Sequence, residues 1–264
     1  MPLAATRLGA DSASRSLILL HGIYGQGRNW QAIAKAVVAA RPDYACWLLD
    51  LPHHGDAGPG GHGETIRGFA SDLDGWLTRE QVVPDVVLGH SFGGKVALAL
   101  AERRTDATLQ IWVIDSTPEP KPTSGSAWDM LTLIRSLPTT FDSREEGAAA
   151  IAAGGYSQGV AVWMSTNLVR EGDTFVWRLD FDVMERLLHD FFTTDLWPVI
   201  TTRAPGHDLH FLKASTSSAM SDDAAARIEA LDDPHVSLHR RDGTHWIHSE
   251  APELVIDLLL AHLS

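Results

Sequence analysis

Between the apolar run Val86-Val87-Leu88 and a long apolar stretch from Phe92 to about Arg103 stands Gly89-His90-Ser91-Phe92-Gly93-Gly94. A strand that becomes a helix within so few residues crosses itself closely, and serine between two glycines is the G-x-S-x-G pattern of such a junction, a sharp elbow from strand into helix. The tight turn strains the backbone of Ser91 and projects its hydroxyl outward, while Gly89 and Gly93 leave room for strand and helix to cross. Taken alone, the pattern also fits an ordinary strand-to-helix turn that contains a serine. A base, an acid and an anion-stabilising loop must therefore be sought elsewhere in the chain.

The segments around this junction alternate. Ser16–Leu20, Tyr44–Leu49, Val86–Leu88 and Leu109–Ile114 are short and almost continuously apolar. Trp30–Ala40 repeats apolar residues at helical spacing, as do Ile66, Phe69, Ala70, Leu73, Trp76 and Leu77. Apolar strands separated by helices imply a parallel sheet covered on both faces. The alternation stops after Asp115, and residues 118–203 read as mainly helical and irregular. It resumes with strands at Asp208–Lys213 and Val236–Arg240, a helix at Asp222–Leu231 and a final helix from Pro252 to Leu263. Residues 1–117 and 204–264 thus form one core domain, with 118–203 inserted over the carboxyl edge of the sheet, where open α/β sheets bind ligands.

At 264 residues the chain suits one large α/β domain. A formal charge of −13 argues against nucleic acid and anionic membrane surfaces as partners. No apolar run reaches the roughly 18 residues needed to span a bilayer. The one cysteine, Cys46, excludes an internal disulfide and reads as an inert core thiol, so a cytoplasmic setting is expected. His53, His54 and His62 lie among glycines without metal-site spacing; they read as a surface loop, and no metal is expected.

A serine hydroxyl becomes nucleophilic when a base removes its proton, and histidine suits that task near neutrality. His245, in Asp242-Gly243-Thr244-His245-Trp246, follows the last strand and is favoured over His248 at the start of the next helix. Asp115, at the end of the strand after the elbow helix, is the favoured acid to orient the imidazole. The alternatives are Asp222 and Asp223, which read instead as the start of a helix. The loop after Asp208–Lys213, Ala214-Ser215-Thr216-Ser217-Ser218, holds no acid at all. The N–H groups of Ile23, in His21-Gly22-Ile23-Tyr24-Gly25, and of Phe92 are candidate oxyanion donors. Gly22, Tyr24, His90 and Trp246 flank these positions and are candidate pocket residues.

These segments, with Asp50-Leu51-Pro52-His53-His54-Gly55-Asp56 and Gly243-Thr244-His245-Trp246, resemble the α/β-hydrolase fold superfamily, in particular its small intracellular serine esterases. The resemblance implies a doubly wound, mostly parallel, eight-stranded sheet, a mainly helical cap and no cofactor. Ala57 stands where many relatives carry serine, and the acid common after the penultimate strand is missing.

Residues 118–203 contain ten of the twenty aromatics. Each reads first as core of that segment, but the excess favours an apolar roof over Ser91. The expected substrate is a small, largely apolar carboxylic ester, and the chain is expected to be a monomer or homodimer. The same triad also serves thioester or amide hydrolysis, C–C bond cleavage, elimination of small acids and cofactor-free haloperoxidase chemistry. A hydrolase-like ligand receptor is the non-enzymatic reading.

Overall fold

Neighbouring residues of Leu17-Ile18-Leu19-Leu20 face opposite sides of a sheet, and that division organises the molecule. The computed structural model describes residues 3–263. Its central sheet comprises β1 (Ala4–Leu8), β2 (Arg15–Leu20), β3 (Tyr44–Asp50), β4 (Val86–His90), β5 (Leu109–Ile114), β9 (His207–Ala214) and β10 (Val236–Arg241). They are ordered β1-β3-β2-β4-β5-β9-β10, and all neighbours are parallel except β1 against β3. Leu17 and Leu19 join a core with Ile33 and Val37 of α1 (Gln31–Ala40) and Val255 and Leu258 of α11 (Pro252–His262). Ile18 and Leu20 join the opposite core, with Phe69 and Leu73 of α2 (Ile66–Arg79) and Val96 and Leu100 of α3 (Phe92–Arg103). Each such buried aliphatic side chain contributes about 1.5–3 kcal/mol. Cys46 lies inside the first of these cores, where burial pushes its thiol up to about 12, so it stays a thiol.

The sheet departs from the expected eight strands, since seven pair among the described residues. Its outer edge is β1, whose Ala5 and Thr6 are exposed and whose Arg7 lies over the Trp47 ring. Small and charged side chains of this kind end a sheet instead of supporting another neighbour.

Between β5 and β9 the chain builds α4 (Ser126–Ser136), α5 (Arg144–Ala153), α6 (Gln158–Ser165), α7 (Phe181–Thr193) and α8 (Trp197–Thr201). It also builds a second sheet that the composition of 118–203 does not announce. The strands β6 (Thr140–Phe141), β7 (Leu168–Glu171) and β8 (Thr174–Trp177) pair antiparallel in the order β6-β8-β7. Gly172, at φ +61°, and Asp173 make the two-residue turn between β7 and β8, a conformation suited to a hairpin. The buried Lys95 of α3 fastens this segment to the elbow helix. Its Nζ donates to the carbonyls of Glu119, Phe191 and Thr194 at 3.0, 2.7 and 2.7 Å. After β9 come α9 (Asp222–Glu229), then β10, and the short α10 (Ile247–Glu250) before α11.

Candidate active site

Ser91 sits between β4 and α3 with φ +52° and ψ −115°, a region that L-residues rarely occupy. The neighbouring glycines make it possible. A Cβ on Gly89 would lie 2.0 Å from the Gly93 carbonyl oxygen, and one on Gly93 would lie 2.5 Å from that of His21. The Ser91 N–H donates to the Ile114 carbonyl at 2.9 Å, which seats the turn on β5.

Asp115 is the first residue past β5, also at positive φ, +48°, and fully buried. Three donors surround its carboxylate. The Ala214 N–H reaches Oδ1 at 3.0 Å, and Oδ2 accepts from the Ser217 hydroxyl and from His245 Nδ1–H at 2.7 Å. His245, in the loop after β10, presents Nε2 to Ser91 Oγ at 3.1 Å. Three loops at the carboxyl ends of β4, β5 and β10 thus bring together the three residues that the spacing singled out. Asp222 and Asp223 lie elsewhere, in the first turn of α9 behind its N-cap Ser221, and Asp222 faces Lys213 Nζ at 3.4 Å.

The serine loop that lacks an acid proves to have its own part. Ser217 holds the Asp115 carboxylate, a contact that sequence spacing did not single out. The signal was the acid-free Ala214–Ser218 loop, whose hydroxyls are the polar groups left to meet a carboxylate from the neighbouring strand.

His90 was expected only to line the pocket. It is buried, and its Nε2–H donates to the His245 carbonyl at 2.7 Å, so it also positions the loop carrying the imidazole. Burial drives its pKa well below the ordinary value, with His248 and His245 adding to the shift, so the ring is a neutral spacer. His248, the rejected competitor, is buried against His90 and Trp30 and is held down at about 3 by desolvation. His54 is a correction: it is buried beside His21 rather than exposed, its Nδ1–H donating to the Pro52 carbonyl at 2.8 Å. His62 is exposed as expected and bonds Asp72 at 2.7 Å.

Gly22 lies against Ser91: a Cβ there would sit 3.4 Å from Ser91 Cβ and 2.9 Å from His90 Nδ1. Ile23 and Tyr24 follow, with Tyr24 at φ +64° and its hydroxyl donating to the Ala127 carbonyl at 2.8 Å. Phe92 opens α3, so its N–H is among the first-turn donors without an intrahelical acceptor. Asn167, fully buried, donates to the Tyr24 carbonyl at 2.8 Å and accepts from Gln26 at 3.3 Å, tying this loop to the 118–203 segment.

Two recesses meet at Ser91. A narrow one is walled by Ile23, Tyr24, Met130 and Trp246, together with His90 and His245. A wider cleft of about 250 Å³ has Phe191, Phe192 and Trp246 on its walls, but also Lys121, Ser124, Ser126, Thr216 and Ser218. The roof is therefore more polar than its composition suggests. Phe141, Trp177 and Phe181 explain the difference, since they pack against one another within the segment's own core.

Residues 17–258 match the model of the Alpha/beta hydrolase family. The chain is similar to the mouse sn-1-specific diacylglycerol lipase ABHD11, at 27% identity over 100% of this chain and 86% of the mouse protein. It is also similar to the esterase YbfF of Escherichia coli, at 23% identity over 94% of this chain and 92% of that protein. Among solved structures, a marine microorganism esterase superposes with a TM-score of 0.85 at 21% identity, covering 99% of each chain.

Proposed function

The chain belongs to the alpha/beta hydrolase family, and from that premise we propose that it is a serine hydrolase cleaving small carboxylic esters through an acyl-enzyme on Ser91. The observation that carries this reading is the unbroken line Ser91 Oγ–His245 Nε2 at 3.1 Å and His245 Nδ1–Asp115 Oδ2 at 2.7 Å, at the floor of an open cleft. Esterase and lipase names among the relatives support the same chemistry. Ser91 Oγ attacks the ester carbonyl as His245 Nε2 takes its proton. Asp115 accepts from His245 Nδ1–H throughout, which keeps Nε2 free and favours the imidazolium that forms. The N–H groups of Ile23 and Phe92 receive the developing oxyanion; one such donor is typically worth about 10²–10³ in turnover. His245 returns its proton to the departing alcohol, then repeats the cycle with water to release the acid.

The two recesses divide the substrate. The narrow recess beside Ile23, Tyr24, Met130 and Trp246 takes a small apolar acyl group. The wider one, with its serine and threonine hydroxyls, takes the alcohol portion. No helix among the described residues is long and apolar enough to cross a membrane. The test is Ser91→Ala with short p-nitrophenyl esters and a fluorophosphonate probe. Turnover and labelling should both vanish while the circular dichroism spectrum is kept; turnover at the wild-type rate would refute the acyl-enzyme.

A further inference from the structure

Away from the ester site, three imidazoles from three separate elements meet on the sheet face covered by α11. Parallel register puts His210 of β9 opposite Ser237 of β10, so His239, two residues on, projects from the same face. Trp112 of β5 is registered opposite His210 and forms the floor: its ring lies 4.2 Å from that of His210 at an interplanar angle of 10°, and 5.3 Å from that of His239. The last turn of α11 brings His262 over both, with ring centroids 5.3 Å and 4.9 Å away. One nitrogen from each of the three rings lies within 4.8 Å of the others.

We propose that His210, His239 and His262 form a binding site for a divalent transition metal of the zinc type, independent of the ester site. Imidazole nitrogens are the donors that such ions prefer, and three of them with one open position make a recurrent zinc set. His210 Nδ1 and His239 Nε2 stand 3.1 Å apart, close to the roughly 3.4 Å between two nitrogens bound tetrahedrally at ordinary Zn–N lengths. His262 is already oriented, because its Nδ1–H donates to the Leu258 carbonyl at 2.8 Å and leaves Nε2 as the free donor. A fixed outer bond of this kind selects the tautomer a metal ligand needs.

At His210 the neighbouring Gln110 holds the opposite tautomer. Its amide nitrogen lies 3.3 Å from His210 Nε2 and donates to the His262 carbonyl at 3.0 Å, while its Oε1 is buried without a partner among the described residues. Swinging the Gln110 side chain into the adjoining cleft, which it lines, opens His210 Nε2 to water. The imidazole proton then moves from Nδ1 to Nε2, freeing Nδ1 for the ion with no net proton released. The His262 carbonyl, at the exposed end of α11, takes water in exchange. A cleft of about 500 Å³ reaching His210 and His262 gives the ion a path from solvent.

The test uses tag-free protein stripped with a chelator and titrated with zinc chloride by calorimetry, with Tm followed in parallel. Wild type should bind one ion at this site and rise in Tm. His239→Ala and His262→Ala should each weaken binding by at least about 100-fold, the upper end of what even an outer-shell partner is worth. Both should hydrolyse p-nitrophenyl esters as wild type does. Because His262 is exposed, its variant keeps the test open should His239→Ala fail to fold. Absence of binding by wild type, undiminished binding by both variants, or binding abolished by His245→Ala instead would each overturn the proposal.

Discussion

Moving the protein from pH 7 to pH 5 should cost it most of its stability, because several histidines are buried as neutral rings. Desolvation holds His21 at about 4 and His54 and His248 at about 3, against about 6.5 in an unfolded chain. Below pH 6.5 the unfolded state therefore binds protons that the native state refuses. The stability is fully present above that value and is lost as pH falls toward the native pKa of each ring. Over the interval from pH 7 to 5 each of these three rings withdraws about 2 kcal/mol, or about 6 kcal/mol together. His90, His210 and His239 are shifted the same way and add to the loss. Ordinary carboxylates stay ionised at pH 5, so this window isolates the imidazoles. Since a typical domain holds only about 5–15 kcal/mol, the chain approaches its unfolding limit there. Guanidinium unfolding followed by tryptophan fluorescence at the two pH values measures the loss, provided the slope with denaturant stays constant. His54→Asn, whose amide can donate to the same Pro52 carbonyl, should reduce the loss by about 2 kcal/mol. A wild-type loss under about 2 kcal/mol would refute the assignment of neutral buried rings.

Asp115→Asn should lower kcat for p-nitrophenyl esters by about 10³–10⁴ with the fold intact, as expected when the imidazole loses its orienting acceptor; a loss under tenfold would return the role to another acid. Ser217→Ala removes one donor to that carboxylate and should reduce kcat about tenfold with KM nearly unchanged, the scale of one hydrogen bond to a charged group. Steady-state kinetics of the Asp115→Asn/Ser217→Ala double variant should show no further loss from the second change. Gly93→Ala drives a Cβ to 2.5 and 2.7 Å from the backbone oxygens of His21 and Leu20 and should destabilise by about 3 kcal/mol or more. Gly94→Ala, which meets the Val113 side chain at 3.1 Å, should cost far less; equal thermal melts would refute the crossing argument.

What could be read from the sequence follows from how each feature is encoded. The elbow helix was legible from Phe92 to Arg103 because its apolar residues are contiguous and two glycines mark its start. Ser91, Asp115 and His245 were legible because parallel strands deliver their next residues to one edge, so chain order implies proximity. The strand β1 was not, since its exposed Ala5 and Thr6 leave no apolar stripe to detect. The strands β6 to β8 were too short to show a period, although Gly172-Asp173 was a usable turn signal. His54 was misplaced because the glycines after it suggest solvent, whereas its ring turns inward onto His21. The imidazoles at 210, 239 and 262 carry no local spacing, and only strand register and the packing of α11 unite them.

The amide of Asn167 joins the loop that follows β2 to the overlying segment from inside the protein, with bonds to Tyr24, Gln26 and Met164. Loop and overlying segment are in effect riveted there, a second rivet besides that of Lys95 on α3. Neither Asn167 nor Gln26 lines the wider cleft, whose walls include Lys121 and Thr216, so on the proposed reading an ester entering there reaches Ser91 without disturbing that joint.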